Sequence, residues 1–590
     1  MEMEYSLGRW DLSSLAPSHE SPMFEQRLKE IDEEVSNFEK KRLSLKSDIS
    51  SKAFYDILHL YEEIVEDASK IGHYAHLLFS SDTSDPKALS LVARIDDLSA
   101  KIANKTIFFE LWWKKGIDQK NAERLLENAA HLQNYLTRQR KLAKYTLTEP
   151  EEKIINIKDT TGTGFIRKFY DQYTERFVFH MPLDGKTKQL KKPELTALFH
   201  SPDLKKRRGA YKSLFKVYGR NEDVLGELYR SVVLDWKNEA IDLRGYRSPL
   251  SVRNILNDIP DEAVDTLLNV CRKNRDVFQG YFREKAKMIG MKKMSRYHIY
   301  APIDTSEVNY SFSDAAKLVL NSLQSFSPKM ALLAKNVLGE NHLDSELRRG
   351  KKGGAFCATA SPKITPFVLV NYTGKQRDVF TLAHELGHAV HSQLAADKSV
   401  LVQQAPLPLA ELASVFSEMV LLDKLLERVT QEEKRRLIAR ELDELYATIM
   451  RQAYFTVFEK DAHDLIAKGA TISEVSDIYH ENLEEQFGGA VKVTEEFRHE
   501  WTYIPHFYHT PFYTYAYSFG NLLTVSLYQR YKKEGGRFVG DYINILSAGG
   551  SRNPESLLRE SGIDIKAEEC WQSGFDYIEE RTQELERLSN

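Results

Sequence analysis

The stretch Thr381-Leu382-Ala383-His384-Glu385-Leu386-Gly387-His388-Ala389-Val390 carries two histidines four residues apart, with a glutamate directly after the first. Apolar residues recur around them at three- and four-residue steps, which reads as one turn after another of α-helix. On a helix, residues four apart lie on one face a single turn from each other. Two imidazoles so placed can reach one ion at about 2.0–2.1 Å, the range zinc prefers. Glu385, offset by one residue, falls beside that ion and can take a proton from water there. The motif therefore demands a helix, a cation and a further ligand that the fold must bring from elsewhere.

Two histidines hold a tetrahedral ion weakly, so a third ligand is required. His391 lies near the same helix face but would have to fold back onto an ion a turn away. The metzincin pattern is excluded, because it needs Gly at 391 and His at 394 where the sequence has His391 and Leu394. The better candidate is Glu411, in a helix predicted to open at Pro408 and to run on through Val420, Leu421 and Leu422. A carboxylate among so many apolar residues is costly unless it meets a cation, and one zinc ion would supply it. Glu418, seven residues on and on the same face, is placed to accept a hydrogen bond from a ligand histidine.

The remaining composition is that of an ordinary soluble globular chain, too long at 590 residues for one core. A net charge of -4 gives no global reason to bind nucleic acid or an anionic membrane. The basic runs Lys205-Lys206-Arg207-Arg208 and Lys434-Arg435-Arg436 read as solvated helix faces. Three scattered cysteines, Cys271, Cys357 and Cys570, argue against a disulfide framework or a thiolate metal site. With no secretory signal at Met1–Tyr5 and no apolar run of about eighteen residues, the expected compartment is the cytoplasm, without membrane association.

Helical periodicity dominates the chain. Ile438, Leu442, Leu445, Ile449, Ala453 and Val457 line one face, and residues from about 20 to 145 read as a bundle of antiparallel helices. Thr148-Glu149-Pro150-Glu151 and Ser201-Pro202-Asp203 are helix starts, the second with Ser201 as cap. Phe177-Val178-Phe179 followed by Asp184-Gly185 predicts a strand and turn. Tyr297–Tyr300, Ala355–Ala358 and Phe367–Val370 are short β-rich runs, so a small sheet is expected beside the motif helix. The predicted organisation is a helical domain over 1–110, a helical and hairpin subdomain over 111–195, and a catalytic domain over 196–590. Gly353, Gly354 and Ala355 form either an edge strand that pairs with an extended peptide or a plain turn.

Taken in order, Gly354-Ala355-Phe356-Cys357, Pro366–Tyr372, His384–His391, Ile504-Pro505-His506-Phe507-Tyr508 and Leu546–Ser551, with Trp10-Asp11-Leu12 near the start, resemble the M3 family of zinc metallopeptidases, of the oligoendopeptidase F type. The resemblance covers essentially the whole chain. It implies a mainly α, multi-subdomain, clam-like zincin that cleaves short peptides inside a deep channel. It also implies Glu411 as third zinc ligand, from the Glu-x-x-Ser-x-x-x-Glu pattern at 411–418. His509 departs from the family pattern, which carries Tyr there; that bears on substrate preference. When water attacks a peptide carbonyl the oxygen becomes an oxyanion that a phenol or imidazole can stabilise. By family likeness that donor is Tyr515, with Tyr513 as its rival, and His506 and Tyr508 contact the substrate or the oxyanion. The expected partners are short peptides, and the expected assembly is a monomer or small homo-oligomer. Two other functions are weighed, a zinc aminopeptidase and a catalytically silent peptide-binding protein. The first lacks a glutamate along Gly353–Cys357 to hold a free amine, and the second has no use for the base Glu385.

Overall fold

The computed structural model describes residues 4–183, 185–304 and 308–589. The chain is mostly helical and forms two compact units. One draws on 1–144, 307–425 and 530–563, the other on 145–306, 426–529 and 564–590. Among the described residues no helix is long and apolar enough to cross a membrane.

The first unit begins with α1 (Pro22–Lys40), α2 (Ser51–Ser81) and α3 (Pro86–Leu111), each opened by a side chain, Ser21, Ser50 or Asp85, that accepts an early amide. They run up, down and up. Phe24 and Phe38, at opposite ends of α1, meet Tyr74 and Tyr61 of α2 at 5.6 and 5.7 Å, which makes that pair antiparallel. Arg94 of α3 forks onto Glu25 of α1 at 2.6 and 2.7 Å, and Lys105 reaches Asp32 at 3.2 Å, which makes the outer pair parallel. Phe24, Ile31, Phe38, Phe54 and Ile64 are fully or almost fully buried, and their core continues into Phe367, Leu369 and Val402. Each such side chain contributes roughly 1.5–3 kcal/mol. Trp10 closes the arrangement: its ring meets Phe356 and Phe367 at 6.2 and 6.3 Å, and its N–H donates to Ser81 at 2.7 Å.

In the second unit, α4 (Glu149–Thr161) starts on the reciprocal Thr148 and Glu151 cap and stops at Gly162. Strands β1 (Phe179–Leu183) and β2 (Lys186–Leu190) pair antiparallel. Asp184, half of the expected turn, lies outside the described residues. Helix α5 (Leu204–Arg220) is capped by Asp203, whose carboxylate accepts from Lys205 N at 2.7 Å, and not by Ser201, which lies two residues earlier. Its basic run is not all solvated: Arg207 is buried, donating to His298 and to the Ser201 carbonyl. Tyr297 to Tyr300 is no strand either, since Arg296–His298 form a 3-10 turn.

The chain then returns to the first unit. Strands β3 (Leu343–Asp344), β4 (Phe356–Ala358) and β5 (Phe367–Leu369) make a sheet of order β3-β5-β4, with β4 antiparallel to β5 and at the edge. Gly353 and Gly354 precede β4 in a bend, and Gly354 at φ +81° takes the left-handed conformation that ends an extended run. The edge strand therefore starts at Phe356 instead of at Gly353. Helix α6 (Gln376–Leu394) packs on β4 and β5 as expected. Pro408 sits in α7 (Leu407–Ala410), but the predicted continuous helix is interrupted by a turn at Glu411 before α8 (Leu412–Leu426). In the second unit again, α9 (Gln431–Leu445) and α10 (Arg451–Ala467) are joined through a π-helical turn at Tyr446–Met450. Of the predicted face, Ile438, Leu442, Leu445, Ile449 and Ala453 are buried and Val457 is half-buried.

Candidate metal centre

Helix α6 buries Leu382, Ala383, Leu386, Ala389 and Val390 completely, and this fixes which way its polar residues point. Against it lies α8, whose backbone comes so near that a Cβ on Gly387 would stand 2.6 Å from both Ala413 O and Ser414 Cα. Glycine at 387 is thus the condition for bringing Glu411 and Glu418 to the two histidines.

Three ligand atoms converge. Nε2 of His384 lies 3.2 Å from Nε2 of His388, and Oε2 of Glu411 lies 3.4 and 3.5 Å from these two nitrogens. Among the described residues this is the group able to hold a metal ion. Each ligand is itself held. Nδ1 of His384 faces Glu418 Oε1 at 2.6 Å, and Ser414 Oγ donates to Glu411 Oε2 at 2.7 Å. The Ala410 carbonyl takes a hydrogen bond from the ring of His388 and from that of His391. His391 is buried on this carbonyl and does not join the ligand triangle. With its Nδ1 proton directed at Glu418, His384 presents a lone pair at Nε2.

The electrostatics ask for positive charge. Burial opposes a proton on His384, but the Glu418 hydrogen bond and the nearby Glu411 and Glu385 outweigh it and push the ring up to about 9. Burial holds His388 down at about 4, despite Glu411. Burial also pushes the Glu385 carboxyl up to about 7, with His384 pulling the other way. Near neutral pH the two imidazoles thus carry one positive charge between them, opposite three carboxylates. A divalent cation answers this donor set, and the residues fit one: a tetrahedral ion with bonds of about 2.0–2.1 Å needs ligand atoms about 3.3–3.4 Å apart.

Glu385 is 7% exposed and lines the same cavity of about 340 Å³ as His384 and His388. Phe356, Cys357 and Thr359, from and just beyond the edge strand, form one wall, and Gln403 and Gln404 another. Gly550 supports the second wall by donating to Val402 O at 2.7 Å, and a Cβ there would come within 2.6 Å of Gln404 O.

The second unit carries the other predicted residues. His506, Tyr513 and Tyr517 form a half-buried aromatic group, with His506 6.1 Å from Tyr513 and 6.0 Å from Tyr517. Tyr508 is fully buried and stacked on Tyr170 at 3.9 Å. Tyr515 is also fully buried, and its hydroxyl accepts from Asn257 Nδ2 at 2.7 Å. Backbone geometry separates the two phenols. Phe512, at φ +56°, donates its N–H to Glu459 at 2.9 Å, and the chain turns there so that Tyr513 faces out and Tyr515 in. Sequence reasoning met Ser414 only as part of the pattern at 411–418 and gave it no role, although a hydroxyl one turn after Glu411 in an apolar run was a signal. Asn257, 258 residues from Tyr515, gave none.

A helical scaffold with a His-Glu-x-x-His helix and a glutamate from the turn between α7 and α8 defines a metallopeptidase of the zincin kind. The model of peptidase family M3 matches residues 197–577, well over half of the sequence, and the chain belongs to that family. It is 27% identical to an oligoendopeptidase F homolog of Borreliella burgdorferi, over 98% of both chains. It is 25% identical to the chromosomal oligoendopeptidase F of Lactococcus lactis subsp. cremoris, over 98% of this chain and 97% of that one. The crystal structure of oligoendopeptidase-F from Enterococcus faecium shares the fold, with a TM-score of 0.71 at 21% identity over 96% of this chain and 98% of that one.

Proposed function

We propose that this chain is a zinc-dependent endopeptidase that hydrolyses internal bonds of short peptides. The observation that carries the reading is the triangle of His384 Nε2, His388 Nε2 and Glu411 Oε2, with edges of 3.2 to 3.5 Å. When bound there, zinc supplies a Lewis acid for the scissile carbonyl and acidifies a water nucleophile. Glu418 holds His384 in the tautomer that leaves Nε2 available, and Ser414 fixes the carboxylate of Glu411. Glu385 lies one residue from His384 and lines the same cavity, so its carboxylate takes the proton of the attacking water and returns it to the leaving amine. The outer edge of β4 offers unpaired backbone to an extended peptide, a mode that reads main chain more than side chains. For the oxyanion we assign the phenol of Tyr513, next to His506, in preference to Tyr515, whose hydroxyl is engaged inside the unit by Asn257. Tyr508, buried against Tyr170, supports this segment from beneath.

The endopeptidase reading draws on the absence of a carboxylate along Gly353–Cys357 that would grip a free amine, and on the names of the relatives. The test is an internally quenched peptide blocked at its N-terminus, given to the metal-loaded parent and to Glu385→Gln. The parent should cleave it, and the variant should keep its metal but lose about 10²–10⁴-fold in kcat. Cleavage of unblocked peptides alone would favour an aminopeptidase, and near-normal turnover by Glu385→Gln would falsify the role of the base.

A further inference from the structure

The cavity at the ligand triangle continues past His388 within the same compact unit, and there it carries hydrogen-bonding groups without charge. Ser392 follows His388 by one turn of α6, which sets it about 6 Å further along the same face. Thr359 lies two residues after Cys357, just past β4, and its Oγ1 donates to Ser392 Oγ at 2.7 Å, tying the end of the strand to the helix. Gln403 approaches from the other wall. Apart from Glu385 and the two ligand histidines, no residue lining this cavity is charged among the described residues: His391 is spent on the Ala410 carbonyl, and burial holds it neutral.

The amide of Gln403 is oriented by its surroundings. It is 4% exposed, and its Nε2 donates to Ser392 O at 3.2 Å, so Oε1 is the atom left to the cavity. The backbone beneath it is fixed by the glycines of the Leu546–Ser551 run. Gly549, at φ +51°, passes so close that a Cβ would stand 2.4 Å from Gln403 O, and Gly550 donates to Val402 O at 2.7 Å. The plain reading, that Gln403 braces its loop on α6, accounts for the amide nitrogen and not for the oxygen. Among the described residues nothing donates to Gln403 Oε1, and nothing accepts from the hydroxyl of Ser392, whose oxygen already takes the proton of Thr359. A nearly buried carboxamide oxygen that meets no donor is unfavourable. One acceptor and one donor left open on adjoining residues are the complement of a carboxamide, which offers both in one plane.

We infer that Gln403 and Ser392 form a subsite that reads an asparagine or glutamine side chain in a substrate residue flanking the scissile bond. The NH2 of that side chain donates to Gln403 Oε1, and its carbonyl oxygen accepts from Ser392 Oγ. One helical turn from His388 is within reach of a side chain whose backbone lies against β4, where residues repeat about every 3.3–3.4 Å. An aliphatic side chain of the same size leaves both groups unmet, and a carboxylate sets an oxygen against Gln403 Oε1. This rests on the peptidase reading above and names which bonds are cut.

The test uses N-blocked quenched peptides of one sequence that carry Asn, Asp or Leu, similar in size, at either residue flanking the cut. At one of the two positions the metal-loaded parent should cleave the Asn peptide with kcat/KM about tenfold or more above the Leu and Asp peptides. Gln403→Met, which keeps the length of the side chain without its acceptor, should bring the Asn-to-Leu ratio to about one. Ser392→Ala, which removes the donor, should leave it in between. A mere brace would lower cleavage of all three peptides together, so an unchanged ratio in Gln403→Met overturns the subsite. A parent ratio of one at both positions overturns it too, as does a preference for Asp or Leu over Asn. Should Gln403→Met fail to fold, Ser392→Ala decides on the same ratio, and no drop there has the same consequence. Equilibrium binding of the Asn and Leu peptides to metal-loaded Glu385→Gln separates the two readings, because it needs no turnover. Preference for Asn there, without cleavage by the parent, sinks the peptidase reading alone, whereas cleavage without any preference sinks this one alone.

Discussion

The proton on Nδ1 of His384 is spent on Glu418, 2.6 Å away, and the direction of the opposite lone pair follows from that single bond. Removing the carboxylate with Glu418→Ala leaves the ligands in place but frees the ring to rotate and to exchange its tautomer. Competition with a chelator should show metal held about 10–100-fold more weakly. Glu418→Gln still accepts from Nδ1 and should lose less. Metal affinity equal to the parent's in Glu418→Ala would remove Glu418 from the account. The two phenols of the aromatic segment differ at the same scale. Tyr513→Phe deletes a hydroxyl from a half-exposed ring and should cost about 10²–10³-fold in kcat with little change in thermal stability, as loss of an oxyanion donor does. Tyr515→Phe instead strands the buried amide of Asn257 and should cost about 1–3 kcal/mol of stability, with a smaller effect on kcat. Activity assays beside thermal melts of both variants decide it. The reverse pattern would restore the oxyanion role to Tyr515.

Between elements, the deciding contact is the crossing of α6 and α8 at Gly387. Gly387→Ala puts a methyl group 2.6 Å from backbone atoms of Ala413 and Ser414, which cannot swing aside as a side-chain end could. The helices must separate, at about 1–3 kcal/mol, and Glu411 and Glu418 move with α8. Melting temperature and metal affinity should therefore fall together. A variant that loses stability while binding metal normally would show that the crossing does not set the ligand distances. This element was also where sequence and structure agreed most. The motif helix, its apolar face and the neighbouring small sheet were legible because each rests on a local period of apolar residues. Turn chemistry was harder. Ser201 and Asp203 are both good caps, and the choice fell to Asp203 because its carboxylate reaches the amides of Lys205 and Lys206. At 297–300, β-branched and aromatic residues suggested a strand, yet Tyr297 and Ile299 serve a buried core from a 3-10 turn. The pause in the helix at Glu411 had no sequence mark, since Ala410-Glu411-Leu412 contains no residue that breaks a helix.

For the molecule as a whole, long closures such as Trp10 on Phe356 and Gly550 on Val402 have no local signature, which is why neither motif could be given a reason before the fold was in hand. The same interleaving bears on what the metal does for stability. His384, His388, Glu411 and Glu418 all belong to the unit built from 1–144, 307–425 and 530–563. An ion that binds only the folded site stabilises it by mass action, by about 2.7 kcal/mol when free metal is a hundredfold above its Kd. Chelation should therefore lower the thermal midpoint and should do so through particular helices. Amide hydrogen exchange, with and without chelator, ought to show its largest loss of protection in α6, α7 and α8. Without a cation, the imidazoles of His384 and His388 and the carboxylates of Glu411 and Glu418 are left facing one another there at 2.6 to 3.5 Å. Adding zinc back should return both the protection and the activity. If chelation abolished cleavage while exchange in α6 to α8 stayed as it was, the ion that matters for cleavage would have to be held by other residues, and the ligand triangle would lose its meaning.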